Sequence, residues 1–222
     1  MRKKKRQASG RDPVATKSNA NKAFWERMAS QGYRGLTNAE LAERAGVHPS
    51  TIGRELGGLD AIATSGIGEH DYWNPFFEKF SLPANSDDWK FREMFKELMQ
   101  TNFSAFMSSD YMQHAILAQI SVESETLRKI SEAREREGAR LLGLSDPNYK
   151  HSGVSFRAVI ALILGGIYYL VLHARYNKST VCGIDINKEK DYQKIKDTIA
   201  YIIDLVWRDA GKKRKRATRE KK

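Results

Sequence analysis

Where apolar residues recur in this 222-residue chain they do so every three or four positions, and no stretch alternates apolar and polar residues long enough to make a strand. Proline stands only at 13, 49, 75, 83 and 147, and with the glycine clusters it cuts the chain into helical lengths. The fold class that follows is all-α. The periodicity predicts a first helix over about 17–30, with Ala20, Phe24 and Met28 on one face and Gly32 as its stop. Two short helices then end at Gly57 and Gly58, and a fourth runs from Leu59 toward Phe80. Residues 86–108 form a strongly amphipathic helix, in which Trp89, Phe91, Met94, Phe95, Leu98, Met99, Phe103 and Phe106 share a face. Residues 110–142 continue helically with one break, 143–153 form a loop around Pro147, and the last two helices span 154–176 and 189–208.

The formal charge of +11 is not spread over this framework. Residues 1–11 carry +6 and residues 212–222 carry +7, which leaves the other 200 residues at −2. Basicity therefore belongs to two tails, and the isoelectric point alone does not make the folded part a nucleic-acid binder. The segments that follow are a disordered basic arm (1–15), a first helical domain (16–60), a larger helical domain (61–210) and a disordered basic tail (211–222). Cys182 is the only cysteine, so there is no internal disulfide framework, and its expected state is a half-buried thiol. Residues 7–21 are polar where a signal peptide needs an apolar core. The apolar run 159–172 is shorter than the roughly 17–25 residues of a membrane span. A cytoplasmic protein with no membrane partner is the expectation. Gly165 and Gly166 interrupt that run, which either the close approach of another helix or an ordinary core position would explain.

The most specific signal is TNAELAERAGVHPSTIGRELGG at 37–58. Thr37 and Glu40 form a capping box, the hydroxyl accepting from the Glu40 amide and the carboxylate reaching back to the amide of Thr37. Leu41, Ala42 and Ala45 make the inner face of the helix, Gly46 ends it in a left-handed conformation, and Val47 plugs the turn. Pro49 falls where a first helical turn tolerates a missing amide, and Ile52 and Leu56 point inward. A helix crossing another steeply needs a small residue at the crossing, here Ala42, and this pattern is that of a helix-turn-helix. Its second helix would present His48, Ser50, Thr51, Gly53 and Arg54 to a major groove.

The segment 31–62 resembles the DNA-binding region of the TetR family, with its glycine-aromatic pair, Ser/Thr cap, I/L-A-x-x-A-G-V core and threonine-led recognition helix. The resemblance implies an all-helical regulator of this length that dimerises through its last two helices. It also implies Thr37 as a phosphate-contacting cap, with His48, Pro49, Ser50, Thr51 and Arg54 in the recognition helix. Asn38 and the arm lysines Lys3, Lys4 and Lys5 complete the expected DNA contacts. Where the family has a basic phosphate clamp this chain has Leu59, and where it has an aromatic this chain has Gly53. The implied partners are a double-stranded, palindromic DNA operator, a second copy of the chain and a small-molecule effector that releases a repressor.

The resemblance implies a ligand pocket in the body without naming its residues. The aromatic and methionine stripe suggests Trp73, Phe76, Phe103, Met107, Tyr111, Tyr168 and Tyr169 around a mainly apolar ligand, with His114 and Gln119 among its polar groups. The histidines at 48, 70, 114, 151 and 173 do not fall at HExxH spacing, and no phosphate-loop, dinucleotide or nucleophile-elbow pattern is present, so neither an enzyme nor a cofactor is expected. Two other readings stay open: a helical adaptor that holds RNA or an acidic partner through its tails, and a transposase-type helix-turn-helix protein, which PSTIGREL also resembles.

Overall fold

The computed structural model describes residues 12–69, 73–80, 82–83 and 86–219. These are helical almost throughout, with a lone bridge between Val181 and Ile184. The chain divides into two compact units, Met1–His70 and Asp71–Lys222, so the head extends about ten residues past the expected boundary at 60. The reason is local: the helix after the recognition segment packs on the head's own helices.

The head holds α1 (Pro13–Gln31), α2 (Asn38–Ala45), a short π-helical segment (Thr51–Glu55) and α3 (Gly58–Glu69). Helix α1 starts four residues before the expected position because Asp12 caps the Val14 amide and Pro13 occupies the first turn. Ala20, Phe24 and Met28 are fully buried, as their spacing predicts, together with Leu41, Ala42 and Ile52. Gly46 has φ +66°, and the Val47 amide donates to the Ala42 carbonyl at 2.9 Å, which closes the turn as the pattern requires. Gly66 has a different reason to be glycine: a Cβ there would lie 2.9 Å from the Phe24 ring, so α3 lies against α1 only without one.

The single helix expected over Leu59 to Phe80 is replaced by α3 and α4 (Trp73–Lys79), which belong to different units. The body continues with α5 (Asp88–Ser108), α6 (Asp110–Ser121), α7 (Glu125–Gly143), α8 (Asp146–Tyr149), α9 (Phe156–Tyr176) and α10 (Glu189–Arg219). Ser109 and Ser124 cap α6 and α7, which makes the expected break between them. Inside the predicted loop 143–153, Pro147 instead sits in the first turn of α8.

Helix α5 is the centre of the body and buries Phe91, Met94, Phe95, Leu98, Met99, Asn102, Phe103 and Phe106 against α6, α9 and α10. Trp89, expected on that face, is 55% exposed. One end of the core is an aromatic cluster, with Trp207 edge-on to Tyr149 and Phe156 at 5.4 and 5.3 Å between ring centres.

Helix α10 runs on to Arg219 through residues predicted to be a disordered tail. The cationic side chains find partners that composition does not reveal. Lys213 Nζ donates to the Ser152 carbonyl at 2.6 Å, while Arg214 reaches Asn148 and the Asp88 carboxylate, 3.1 Å away. Cys182 is exposed rather than half-buried, in a tight turn with φ +53°.

Helix α9 exceeds the apolar run read from the sequence: its 21 residues are by length and composition apolar enough to cross a membrane. Ile160, Ile163, Ile167 and Val171 bind it into the core. Its opposite face is exposed and apolar, with Leu162 78% and Tyr169 58% accessible and Gly166 between them. Among the described residues no atom outside the helix's own backbone and the neighbouring residues lies within 4 Å of a Cβ placed at Gly165 or Gly166, so close packing among them explains neither glycine.

Candidate DNA-binding head and ligand cavity

The helix-turn-helix is held by a side chain that sequence reasoning passed over. Arg27, buried on α1, donates from Nε to Glu40 Oε1 at 2.7 Å, from one terminal nitrogen to the Gly32 carbonyl, and from the other to the Arg34 carbonyl at 3.2 Å. Arg44 adds a second donor to the same Glu40 oxygen at 3.0 Å. The two guanidinium groups hold the Glu40 carboxyl below its ordinary range, the Arg27 hydrogen bond being the largest cause. Half of the predicted capping box is therefore present: the Glu40 amide donates to Thr37 Oγ1 at 3.2 Å, but the Glu40 carboxylate turns to Arg27 and not to the Thr37 amide.

On the recognition segment His48, Pro49, Ser50, Gly53 and Arg54 are exposed, as is Thr37 at the start of α2. His48 Nδ1 accepts from the Ser50 amide at 3.2 Å and lies 2.8 Å from Ser50 Oγ. That contact caps the first turn and leaves the ring of His48 on the exposed side of the segment. Thr51 corrects the expectation: it is 3% exposed and packs inward beside Ile52. The cause is the winding, since the Leu56 amide donates to the Thr51 carbonyl at 3.2 Å, one residue wider than an α-turn. Asn38 also has a structural task, as its Oδ1 accepts from the Leu59 amide at 2.7 Å and so holds the first turn of α3. Lys3, Lys4 and Lys5 lie outside the described residues.

In the body, α4, α5, α6, α7 and α9 line a half-open cavity of about 490 Å³. This is within the roughly 300–1,000 Å³ of small-molecule sites. Trp73, Phe95, Leu98, Met99, Ile160 and Leu164 line it with apolar surface, and Gln119, Ser131, Arg134 and Glu135 supply its polar side. Small residues make the space: a Cβ added at Gly138 or Gly165, both in the walls, would meet no atom of the described residues within 4 Å outside its own helix backbone and chain neighbours. Trp73 Nε1 donates to Tyr168 Oη at 3.3 Å, which joins two of the walls. Arg134 donates to Gln119 Oε1 at 3.0 Å, so the amide nitrogen of Gln119 is the group left to donate, and no acceptor among the described residues reaches it. Arg157 is tied to Asp146 through two hydrogen bonds of 3.0 and 2.7 Å, and that pairing raises its pKa.

Of the predicted ligand residues, Trp73, Gln119 and Tyr168 line this cavity and the others do not. Phe103 is fully buried and stacks on Tyr192 of α10, so it belongs to the core; Phe76 is buried beside Phe80. His114 packs on Tyr176, and Tyr169 is on the outer face of α9. Met107 and Tyr111, both half-buried, are outside the lining as well. Sequence reasoning missed Arg134 and the small residues of the walls, although a glycine inside EAREREGARLL was a signal, since it costs a helix about 1 kcal/mol against alanine.

The described residues thus form a helix-turn-helix head followed by an all-helical body with a half-open cavity, a fold shared with solved transcription regulators. No protein-family model and no curated protein matches the chain. Solved structures do match it along most of their length. The fatty acid degradation regulator FadR from Bacillus halodurans is 19% identical, with a TM-score of 0.54 over 86% of this chain and 97% of the other. A TetR family transcription regulator from Marinobacter aquaeolei VT8 is 15% identical, with a TM-score of 0.55 over 88% and 95%. The transcriptional regulator FadR from Bacillus subtilis, solved in complex with stearoyl-CoA, is 17% identical, with a TM-score of 0.56 over 84% and 96%.

Proposed function

We propose that this chain is a sequence-specific DNA-binding transcription regulator of the cytoplasm, acting by binding and not by catalysis. It works as a homodimer on a palindromic operator and is a repressor released by an amphipathic ligand with a long apolar chain. The observation that carries this reading is the head: a closed helix-turn-helix whose second helix exposes His48, Ser50, Gly53 and Arg54. These are short or polar groups of the kind that read base edges in a major groove about 12 Å wide. Residues 12–69 contain six basic and seven acidic side chains, so the head's own net charge does not attract phosphate. The cations of residues 1–11 supply that attraction and make affinity fall with salt.

The ligand class follows from the cavity, whose apolar walls fit a hydrocarbon chain while Gln119 and Arg134 offer donors to a polar or anionic head. Regulators of fatty acid metabolism, one of them holding stearoyl-CoA, share the fold and support the same chemistry. Dimerisation is supported by the exposed apolar stripe of α9, together with Tyr201 and Leu205 of α10.

The DNA reading is tested by selecting bound fragments from random double-stranded DNA and then replacing Arg54 with alanine. The variant loses about 1–3 kcal/mol of preference for the selected site, while its affinity for unrelated DNA changes little. An Arg54→Ala protein that discriminates as the parent does would contradict the assignment of this helix to base reading. Thr51→Ala, by contrast, acts on the packing of the head.

A further inference from the structure

The last turns of α10 sort their cations by face. Lys213 and Arg214 turn inward, to the Ser152 carbonyl and the Asp88 carboxylate. Lys212, Lys215, Arg216 and Arg219 are exposed and make no hydrogen bond or ion pair with the described residues. These four stand at i, i+3, i+4 and i+7 on a helix that continues to Arg219, so they share one face. Between Arg208 and Arg219 the only acidic side chain is that of Asp209, and Lys213 pairs with it at 2.9 Å. The exposed face is thus a row of like charges with no counter-charge of its own. Like charges three and four residues apart repel, and an anionic partner relieves that repulsion.

The chemistry of the row selects the partner. A second copy of the chain would set the same cations against it. Helices that lie on anionic membranes also insert large apolar side chains, and residues 208–219 contain no apolar side chain larger than alanine. The row extends about 10 Å along the helix axis, a length over which one strand of a duplex presents about three phosphates.

We propose that this face of α10 binds the phosphate backbone of double-stranded DNA without reading its sequence, in addition to the contact made by the head. This rests on the reading of the chain as a DNA-binding protein. Fluorescence anisotropy of the full-length chain on a duplex of unrelated sequence, over a series of salt concentrations, tests it. Combining Lys212→Gln, Lys215→Gln, Arg216→Gln and Arg219→Gln makes the slope of log affinity against log salt shallower by about two to three, at roughly 0.9 per phosphate. Preference for the selected operator over unrelated DNA stays as in the parent, whereas Arg54→Ala does the opposite. The charge-conserving set Lys212→Arg, Lys215→Arg, Arg216→Lys and Arg219→Lys keeps the parent slope, which a role in packing would not require. Lys215→Gln with Arg219→Gln, expected to give about half the change, serves if the fourfold variant does not fold. A parent slope retained in the glutamine variants overturns the inference alone and leaves the head's reading standing. So does a fourfold variant that holds DNA as the parent does but no longer binds vesicles of phosphatidylglycerol, which would make the row a membrane contact. A parent chain that binds no duplex at any salt concentration overturns the DNA reading and the inference with it.

Discussion

Replacing Arg27 with alanine unfolds the head ahead of the body and abolishes DNA binding, although Arg27 is a buried α1 residue outside the exposed base-reading set. Three acceptors depend on this one side chain: the Glu40 carboxylate on α2, the Gly32 carbonyl that ends α1, and the Arg34 carbonyl in the connecting loop. Removal strands two carbonyls and leaves Glu40 with Arg44 alone. Breaking a buried pair typically costs about 3–5 kcal/mol, and the partial exposure of Glu40 brings the expected cost here to about 2–4 kcal/mol. That is a large part of the stability of a small domain. Arg27→Lys does not rescue it, because a single ammonium lacks the planar fork that spans the three acceptors. Thermal unfolding followed by circular dichroism should resolve an early transition in the variant. A melting curve superimposable on the parent's would show that the clamp contributes nothing.

If the proposed dimer forms through the exposed stripe of α9, replacing Leu162 with glutamate turns it into a monomer without unfolding it. The side chain is 78% accessible in the isolated chain, so the charge costs the monomer little. In a two-fold interface the same substitution is met twice, and a buried, unpaired carboxylate on each side weakens association by about 100-fold or more. Light scattering at micromolar concentration distinguishes the states. The account expects a dimer for the parent and a monomer of native helix content for the variant. A parent protein that is itself monomeric, with or without DNA, would remove the two-fold operator from the account.

The parts of the molecule legible in the sequence were those governed by local rules. The turn at Gly46, the cap at Thr37 and the inward face of Ala20, Phe24 and Met28 follow from spacing and backbone preference, and each is present. What escaped was decided at long range. The partner of Glu40 lies 13 residues away on another helix, so a capping box and an ion pair read alike until the chain is folded. The basic end of α10 reads as disordered because Ser152, Asn148 and Asp88, which receive its side chains, are 61 to 126 residues distant. In the body, an aromatic stripe marks a helix face but does not say whether a cavity or another helix lies opposite. Phe103 met Tyr192 and became core, while Leu98 and Met99 line the cavity together with small residues of α7 and α9.

In the proposed regulator, one chain couples a DNA site to an acyl-chain site. That coupling is tested most directly by measuring affinity for the selected operator by fluorescence anisotropy, at fixed salt, with and without a saturating long-chain acyl ligand. Octadecanoate and its coenzyme A thioester serve as the first probes. A probe that binds the cavity should weaken operator binding by about 5- to 150-fold, and operator DNA should weaken ligand binding by the same factor. Saturation of the cavity with operator affinity unchanged would contradict the coupling.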